Sequence, residues 1–410
     1  MSSSFMLSMD HPYVLSEIER VPSGLLPFEG LHGHPHKLVI KASKELILTA
    51  LQRREFFMYL APVEVSGISS FSIFSAFFDD PDEPLFIFTP FVEDAKLAED
   101  VFRIIQSENF EVFFFDQLNR ERLGFTASST IPISTSNRIS SVQSFVPMSQ
   151  LREVHSQCYN WFSTRNEGDD KAAIKIKLQE ELFPTDAMML DLRNDGASGP
   201  IHVSSLERHT NPGDMQELEI SECLQRIIGD GEISIGPLRI DTDRELADVV
   251  AVTEKSVFIV QAKDIENTKR SIDANIQRKI SKSIKKVKEG MVQLKGAIKF
   301  SQRDRYLVIK DKETSEVSKI DLHGRTIYGL VIVTELFDYE YGDYTKLSLR
   351  VGQDLGVSCV PMSFPQLAEY TFELPEEGRF IDALCTIYWQ GILNGSFPKL
   401  RFNYPADDGG

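Results

Sequence analysis

The sequence predicts an α/β protein in which a mixed sheet flanked by helices follows a separate α+β N-terminal domain. Three stretches carry that expectation. The run from Glu245 to Asp264, ELADVVAVTEKSVFIVQAKD, holds two apolar, β-branched segments. The polar break between them, Glu254-Lys255, is short enough to let them fold back as adjacent antiparallel strands. Ile272, Ile276, Ile280, Ile284, Val287, Met291, Leu294 and Ile298 recur at threes and fours. That period predicts a helix of roughly 30 residues, about 45 Å long at 1.5 Å per residue, with one face given to the core. The run TIYGLVIVTE at 326–335 is apolar and β-branched, as befits a strand covered on both faces in the middle of a mixed sheet.

Composition bounds the rest. A chain of 410 residues, 42 % hydrophobic and 26 % charged, is long enough for two or three cored domains and is not disordered in character. Cys158, Cys223, Cys359 and Cys385 are far apart and form no CxxC pair, which points away from a zinc site or disulfide scaffold and suits a reducing cytoplasm. No apolar run reaches the ~20 residues of a membrane span, and MSSSFMLSMDHPYVLSEIER lacks the pattern of a signal peptide, so no membrane association is expected. The net charge of −17 argues against whole-surface attraction to nucleic acid, so binding of that kind requires a local basic patch.

Residues 1–126 read as the α+β domain. A turn-rich start contains His32, His34 and His36, for which Gly33 and Pro35 favour an exposed loop over a metal site. A strand at KLVIKA, a helix around KELILTALQRREFF, strands FSIFSAFF and LFIFTPF, a helix at AKLAEDVFRIIQS and strands NFEVFFFDQ and RLGFTA follow. The phenylalanines come in runs rather than interleaved with Lys and Arg, the pattern of a core and not of a base-stacking platform. Asp79, Asp80 and Asp82 mark a turn.

Residues 127–212 read as a Ser/Thr-rich linker to about 141, then connecting helices around MSQLREVHSQCYNWF and KAAIKIKLQEELF and a polar stretch, LRNDGASGP. Residues 213–400 form the third region. It opens on a helix with Asp214 as N-cap and Glu217 three residues on, ending at Gly229. Glu217 is favoured over Glu219 and Glu222 as the acid facing the sheet, because it shares an edge with Ile220, Leu224 and Ile227. Next come the strand GEISIGPLRI and the loop DTDRE, whose Asp241, Asp243 and Glu245 either assist a metal or solvate a turn. After the paired strands and the long helix come TIYGLVIVTE, GVSCVPMS and helices at PQLAEYTFE and GRFIDALCTIYWQGIL. Tyr388 and Trp389 on the last helix would serve either as an anchor for a homo-oligomer or as core.

The candidate chemistry lies on the paired strands. Asp248 belongs to the first; Gln261 and Lys263, two apart near the end of the second, leave the sheet on one face. An acid, a neutral oxygen donor and a lysine gathered this way can hold a divalent metal and organise water for attack on phosphorus. Lys279, Lys282, Lys286 and Gln293 fall in a narrow band opposite the apolar face of the long helix, with Arg278 and Lys285 beside them: the local basic patch that nucleic-acid binding demands.

Asp248, Gln261, Ala262 and Lys263 resemble the metal-site signature of the PD-(D/E)xK nucleases, the restriction-endonuclease-like superfamily. There an Asp on one strand is followed across a hairpin by Glu or Gln, any residue, then Lys. The resemblance covers roughly residues 214–335, about a third of the chain, and rests on the order helix, strand, strand, helix, strand as much as on a short motif. Ala247 stands where the motif commonly has Pro. Gln261 keeps a ligand oxygen but removes a charge, which weakens metal binding unless another carboxylate contributes.

The resemblance implies a restriction-endonuclease-like fold and an Mg2+- or Mn2+-dependent endonuclease that hydrolyses phosphodiester bonds, in DNA rather than RNA, in settings such as bacterial defence or DNA processing. By the same resemblance Asp248 and Gln261 would bind metal, Glu217 would hold it through a water, and Lys263 would orient the attacking water or offset charge in the transition state. Gln293 is similar to a helix glutamine found after the Lys in some branches. Two other classes fit the same residues: a nuclease fold without metal competence that grips nucleic acid or regulates, and a protein or ligand sensor defined by the N-terminal domain.

Overall fold

The computed structural model describes residues 6–30, 35–93, 95–141, 144–184, 189–190, 201–202, 212–263, 268 and 272–402. The chain divides into two compact units, Met1–Glu207 with Phe402–Gly410, and Arg208–Arg401. Both mix helices with sheet, as an α/β protein should. No helix among the described residues is long and apolar enough to cross a membrane.

The first unit is built on eight strands: β1 (Gly24–Phe28), β2 (Lys37–Lys41), β3 (Glu55–Val65), β4 (Ile68–Phe77), β5 (Leu85–Thr89), β6 (Phe110–Phe115), β7 (Glu121–Thr130) and β8 (Ile174–Glu181). They run in the order β1-β2-β6-β7-β8-β3-β4-β5, antiparallel except for β2 beside β6. Edge strands β1 and β5 approach each other, so the sheet curls on itself. Helices α1 (Leu7–Asp10), α2 (Tyr13–Ile18), α3 (Lys44–Arg53), α4 (Ala95–Gln106), α5 (Ile133–Ser141), α6 (Leu151–Ser163) and α7 (Glu167–Ala172) complete it, followed by a two-residue ladder of β9 (Met189–Leu190) and β10 (Ile201–His202).

Several expectations change here. The helix at KELILTALQRREFF stops at Arg53, where Arg54 turns left-handed at φ 55°, and EFF opens the long strand β3. The KAAIKIKLQEELF helix is strand β8, because IKIKL alternates apolar and polar with period two. Residues 127–181, expected to link the domains, instead extend β7 and supply β8 to the first sheet, while α6 buries Val154, Cys158 and Phe162 against it.

The phenylalanines are core: Phe56, Phe74, Phe77 and Phe114 are fully buried. Asp79 and Asp80 accept backbone N–H bonds from Leu85, Asp82 and Glu83, which makes that stretch a turn. His36 accepts from the Gly30 N–H; His32, His34, the LRNDGASGP stretch and the tail after residue 402 lie outside the described residues.

Two buried charges hold the start of the chain to this sheet. The Glu121 carboxylate accepts the Leu7 and Ser8 N–H groups at 2.7 and 2.8 Å, and the Lys41 amine donates to the Ile18 and Val21 carbonyls at 3.0 and 2.6 Å. Such charge-assisted bonds satisfy the open N–H groups of α1 and the open carbonyls that end α2.

The second unit starts with α8 (Pro212–Ile228), two residues upstream of the expected cap at Asp214, and ends it at Gly229, φ 56°. Its central sheet runs β11 (Glu232–Ile235), β13 (Val249–Val252), β14 (Ser256–Lys263), β17 (Thr326–Val333), β18 (Ser358–Ser363). The first three are antiparallel neighbours; β14, β17 and β18 are parallel. The strand read as GEISIGPLRI breaks at Gly236, φ 56°, into β11 and β12 (Leu238–Arg239). There β12 joins a second, three-stranded sheet with the hairpin β15 (Tyr306–Lys310) and β16 (Val317–Asp321).

The long helix α9 spans Ile276–Ser301, 26 residues or about 39 Å, and starts four residues later than expected because the Asn275 side chain caps the Arg278 N–H. It packs on β14 and β17. Helices α10 (Tyr341–Leu355), α11 (Phe364–Glu373) and α12 (Glu377–Asn394) close the unit. On α12, Tyr388 is core and Trp389 is 61 % exposed.

Candidate active site

The site grows from the register of β13 and β14. Val249 pairs with Val260, so the next step of the ladder sets Asp248 opposite Gln261 on one face of the sheet. Asp248 stands one residue before β13, and its carbonyl accepts the Gly236 N–H at 2.8 Å, which continues the pairing with β11. Asp248 is 8 % exposed and Gln261 4 %. One carboxylate oxygen of Asp248 accepts both the Ala262 N–H and the Lys263 Nζ, the latter at 3.3 Å. Lys263 Nζ also donates to the Ala262 carbonyl at 2.7 Å. Asp248, Gln261 and Lys263 are therefore brought together.

The long helix closes over this corner through a glycine. A Cβ on Gly290 would stand 2.5 Å from Val331 Cγ1 and 3.3 Å from Lys263 Cγ, so only glycine lets α9 lie this close to β17 and to the lysine stem.

A second carboxylate belongs to the site. Glu245 lies beside Asp248; the residue is exposed, but partial burial of its carboxyl group and the Asp248 carboxylate next to it push its pKa up to about 7, against the pull of Lys312 and Lys263. Two neighbouring carboxylates cannot both ionise freely, so Glu245 loses its proton at higher pH than a free carboxyl. The other acids of the DTDRE loop are turned to neighbours: Asp241 pairs with Arg239 at 2.9 Å and Asp243 with Lys310 at 3.0 Å. The sequence brought all three acids near the site without separating them. The i, i+3 spacing of Glu245 and Asp248 was the available signal, and only the bridge of Glu245 to Leu238 fixes its direction.

Glu217 lies half-buried on the flank of α8, which packs on β11, β13 and β14. The inward stripe of that helix is Gln216, Glu219, Ile220, Cys223, Leu224 and Ile227. Glu219, at 2 % exposure, is thus the acid of α8 turned into the unit. Among the described residues, Gln216 Oε1 beside it is buried without a hydrogen-bond partner.

The basic band is lateral rather than opposite. The buried face of α9 includes Ser283, Val287, Gly290 and Leu294, so Lys279 and Lys286 sit half-buried along its edge, with Lys282 and Gln293 exposed beside them. Glu289 approaches Lys285 at 3.9 Å and Lys286 at 3.7 Å, an exposed contact that binds neither firmly. Gly290 places this edge next to Lys263.

Among the described residues no three of His, Cys, Asp and Glu gather at metal-binding distance. What the site offers is an all-oxygen set suited to a hard cation: two carboxylates, the Gln261 amide oxygen on the same face and the Ala262 carbonyl. A cation bound by Glu245 and Asp248 would relieve the repulsion that helps push Glu245 up. Compared with known proteins, the sequence matches no family model and no curated protein.

Proposed function

We propose that residues 214–335 adopt a restriction-endonuclease-like fold and that the chain is an Mg2+- or Mn2+-dependent endonuclease of the PD-(D/E)xK type, acting on DNA. The observation that carries this reading is the convergence of Asp248, Gln261 and Lys263 with a second carboxylate, Glu245. Glu245 supplies the charge that Gln261 lacks. The order α8, β11, β13, β14, α9, β17, with β14 and β17 parallel around the helix, supports the fold.

Asp248 and Glu245 would hold the metal, with Gln261 and the Ala262 carbonyl as neutral donors and Glu219 or Glu217 as the acid from α8. When bound, the cation supplies Lewis-acid polarisation of a phosphoryl oxygen. Lys263 Nζ, now on Asp248 and the Ala262 carbonyl, has donors to orient the attacking water and a charge to offset the developing negative phosphoryl oxygens. Lys279, Lys282 and Lys286 hold the backbone of the nucleic acid. No nucleophilic side chain is required.

The test is cleavage of single- and double-stranded DNA and RNA with either metal. Asp248→Ala and Lys263→Ala should each abolish cleavage while binding through α9 persists. Replacing Lys279, Lys282 and Lys286 with Glu should weaken binding and flatten its log–log salt slope by about 0.9 per lost phosphate contact. Wild-type protein that cleaves none of these substrates with either metal would return the chain to a binding role.

A further inference from the structure

The hairpin β15–β16 lies in the chain between α9 and β17, yet it is joined to the candidate site. Leu238 of β12 pairs with Lys310 of the hairpin and also bridges Glu245, so one short strand ties the two together. The hairpin's turn is held in one shape by Asp311. Its carboxylate accepts the Glu313 N–H at 2.9 Å, the Thr314 N–H at 2.7 Å and the Thr314 hydroxyl at 2.9 Å, and its own N–H donates to the Glu316 carbonyl at 2.8 Å. Lys312 stands in that turn. It leans over Gly236, where a Cβ would lie 3.3 Å from Lys312 Cδ, 3.7 Å from its Nζ and 3.8 Å from Glu245 Oε2. Lysine and glutamate thus face the same point above one glycine.

Three neighbouring cations of this sheet are committed to acids, Lys310 to Asp243, Arg305 to Asp321 and Arg239 to Asp241, and Lys319 lies over the Tyr306 ring at 4.1 Å. Lys312 is exposed, and among the described residues it forms no ion pair within 4 Å, although Glu313 and Glu316 share its turn. A lysine held beside a carboxylate pair by a rigid turn, with its amine open to solvent, suits a phosphate oxygen. It lies on the Glu245 side, whereas Lys263 reaches Asp248.

We propose that Lys312 is a substrate-positioning residue, which grips the phosphate next to the scissile one and sets the backbone in register with the carboxylates. This rests on the nuclease reading above. Lys312→Gln should raise KM for a duplex DNA substrate roughly tenfold, leave kcat within about twofold, and lower the log–log salt slope of binding by about 0.9, while Lys312→Arg recovers most of the loss. A single methylphosphonate beside the cleaved bond should weaken wild-type binding and leave Lys312→Gln unaffected.

An enzyme that cleaves with unchanged KM and slope in Lys312→Gln, or that loses only kcat, would overturn the proposal and leave Lys312 a counter-ion of Glu245. Should wild type bind the duplex without cleaving it, the nuclease reading fails, and the salt slope of Lys312→Gln still decides whether this lysine contacts phosphate. Protein that neither binds nor cleaves overturns both.

Discussion

Two glycines on one helix should respond to the same substitution with opposite sign. At Gly296 of α9 an added Cβ meets nothing within 4 Å, so Gly296→Ala should gain only the helix preference of alanine, about 1 kcal/mol. At Gly290 the same methyl would stand 2.5 Å from Val331 Cγ1, a fully buried atom group in the middle of the central sheet. Ordinary contact lies about 1 Å farther out. Helix or strand must therefore give way, and overpacking of that order costs about 1–3 kcal/mol against the same gain of about 1 kcal/mol. The variants should differ by about 1–3 kcal/mol in the stability of the second unit.

Amide hydrogen exchange over residues 276–301 and 326–333 reads this locally, at about 1.4 kcal/mol per tenfold change in protection where opening is fast. Gly296→Ala should slow exchange and Gly290→Ala hasten it. Equal protection in the two variants would refute the packing argument and, with it, the close seat of α9 on Lys263.

Three further outcomes follow from the charges. Gln261→Glu should tighten Mn2+ binding, read by calorimetry, and preserve or raise cleavage; an unaltered affinity would make Gln261 a packing residue. Glu245 holds its proton in the folded protein up to about 7, above its ordinary 4.5, so it favours the fold at low pH, and that contribution is lost as pH rises from 4.5 through 7. The metal-free unit should lose stability across that window; burial and the Glu373 charge push Glu369 of α11 up to about 7 as well, so Mn2+ should restore, and Glu245→Gln remove, only the Glu245 share; thermal melts with and without metal decide. Asp116 is fully buried. Burial pushes its carboxyl up, but Arg120, Arg122 and Lys44 together hold it well below its ordinary 3.8, so its contribution is present above that value and lost as pH falls below it. Asp116→Asn should cost the first unit about 3–5 kcal/mol at pH 7, measured by urea unfolding, because it removes the buried negative charge that both guanidinium groups share.

The second unit was legible in the sequence where periodicity was strong. The β13–β14 hairpin, the long helix and β17 announce themselves because each buries a continuous apolar face. That Gln261 and Lys263 share a face followed from strand alternation, since i and i+2 leave a strand on the same side. Glu245 could not be resolved in the same way, because the loop between β12 and β13 has no period and its direction depends on a bridge to Leu238.

The first unit was harder for a physical reason. IKIKLQEE has the alternation of a strand, but its lysines, glutamine and glutamates also suit an exposed helix, and only pairing with β3 and β7, at least 45 residues away in sequence, decides between them. The helix α10 was missed because YGDYTKLSLRVGQDL has two internal glycines. Gly352 is admitted there by close packing, with Tyr388 Oη 2.3 Å and the Val357 carbonyl 2.7 Å from where its Cβ would stand.

Lys41 and Glu121 decide how the first unit tolerates dissection. Each bonds the backbone of residues 7–21, so a recombinant fragment beginning at residue 35 would retain both side chains inside the sheet with those carbonyls and N–H groups gone. Taking such bonds away from a buried ion costs up to several kcal/mol, a large part of the whole stability of a small domain. Proteolysis after Val21 would act differently from such a truncation: the severed helices could stay docked as a peptide, and the two charges would turn the nick into a reversible association rather than a loss of fold.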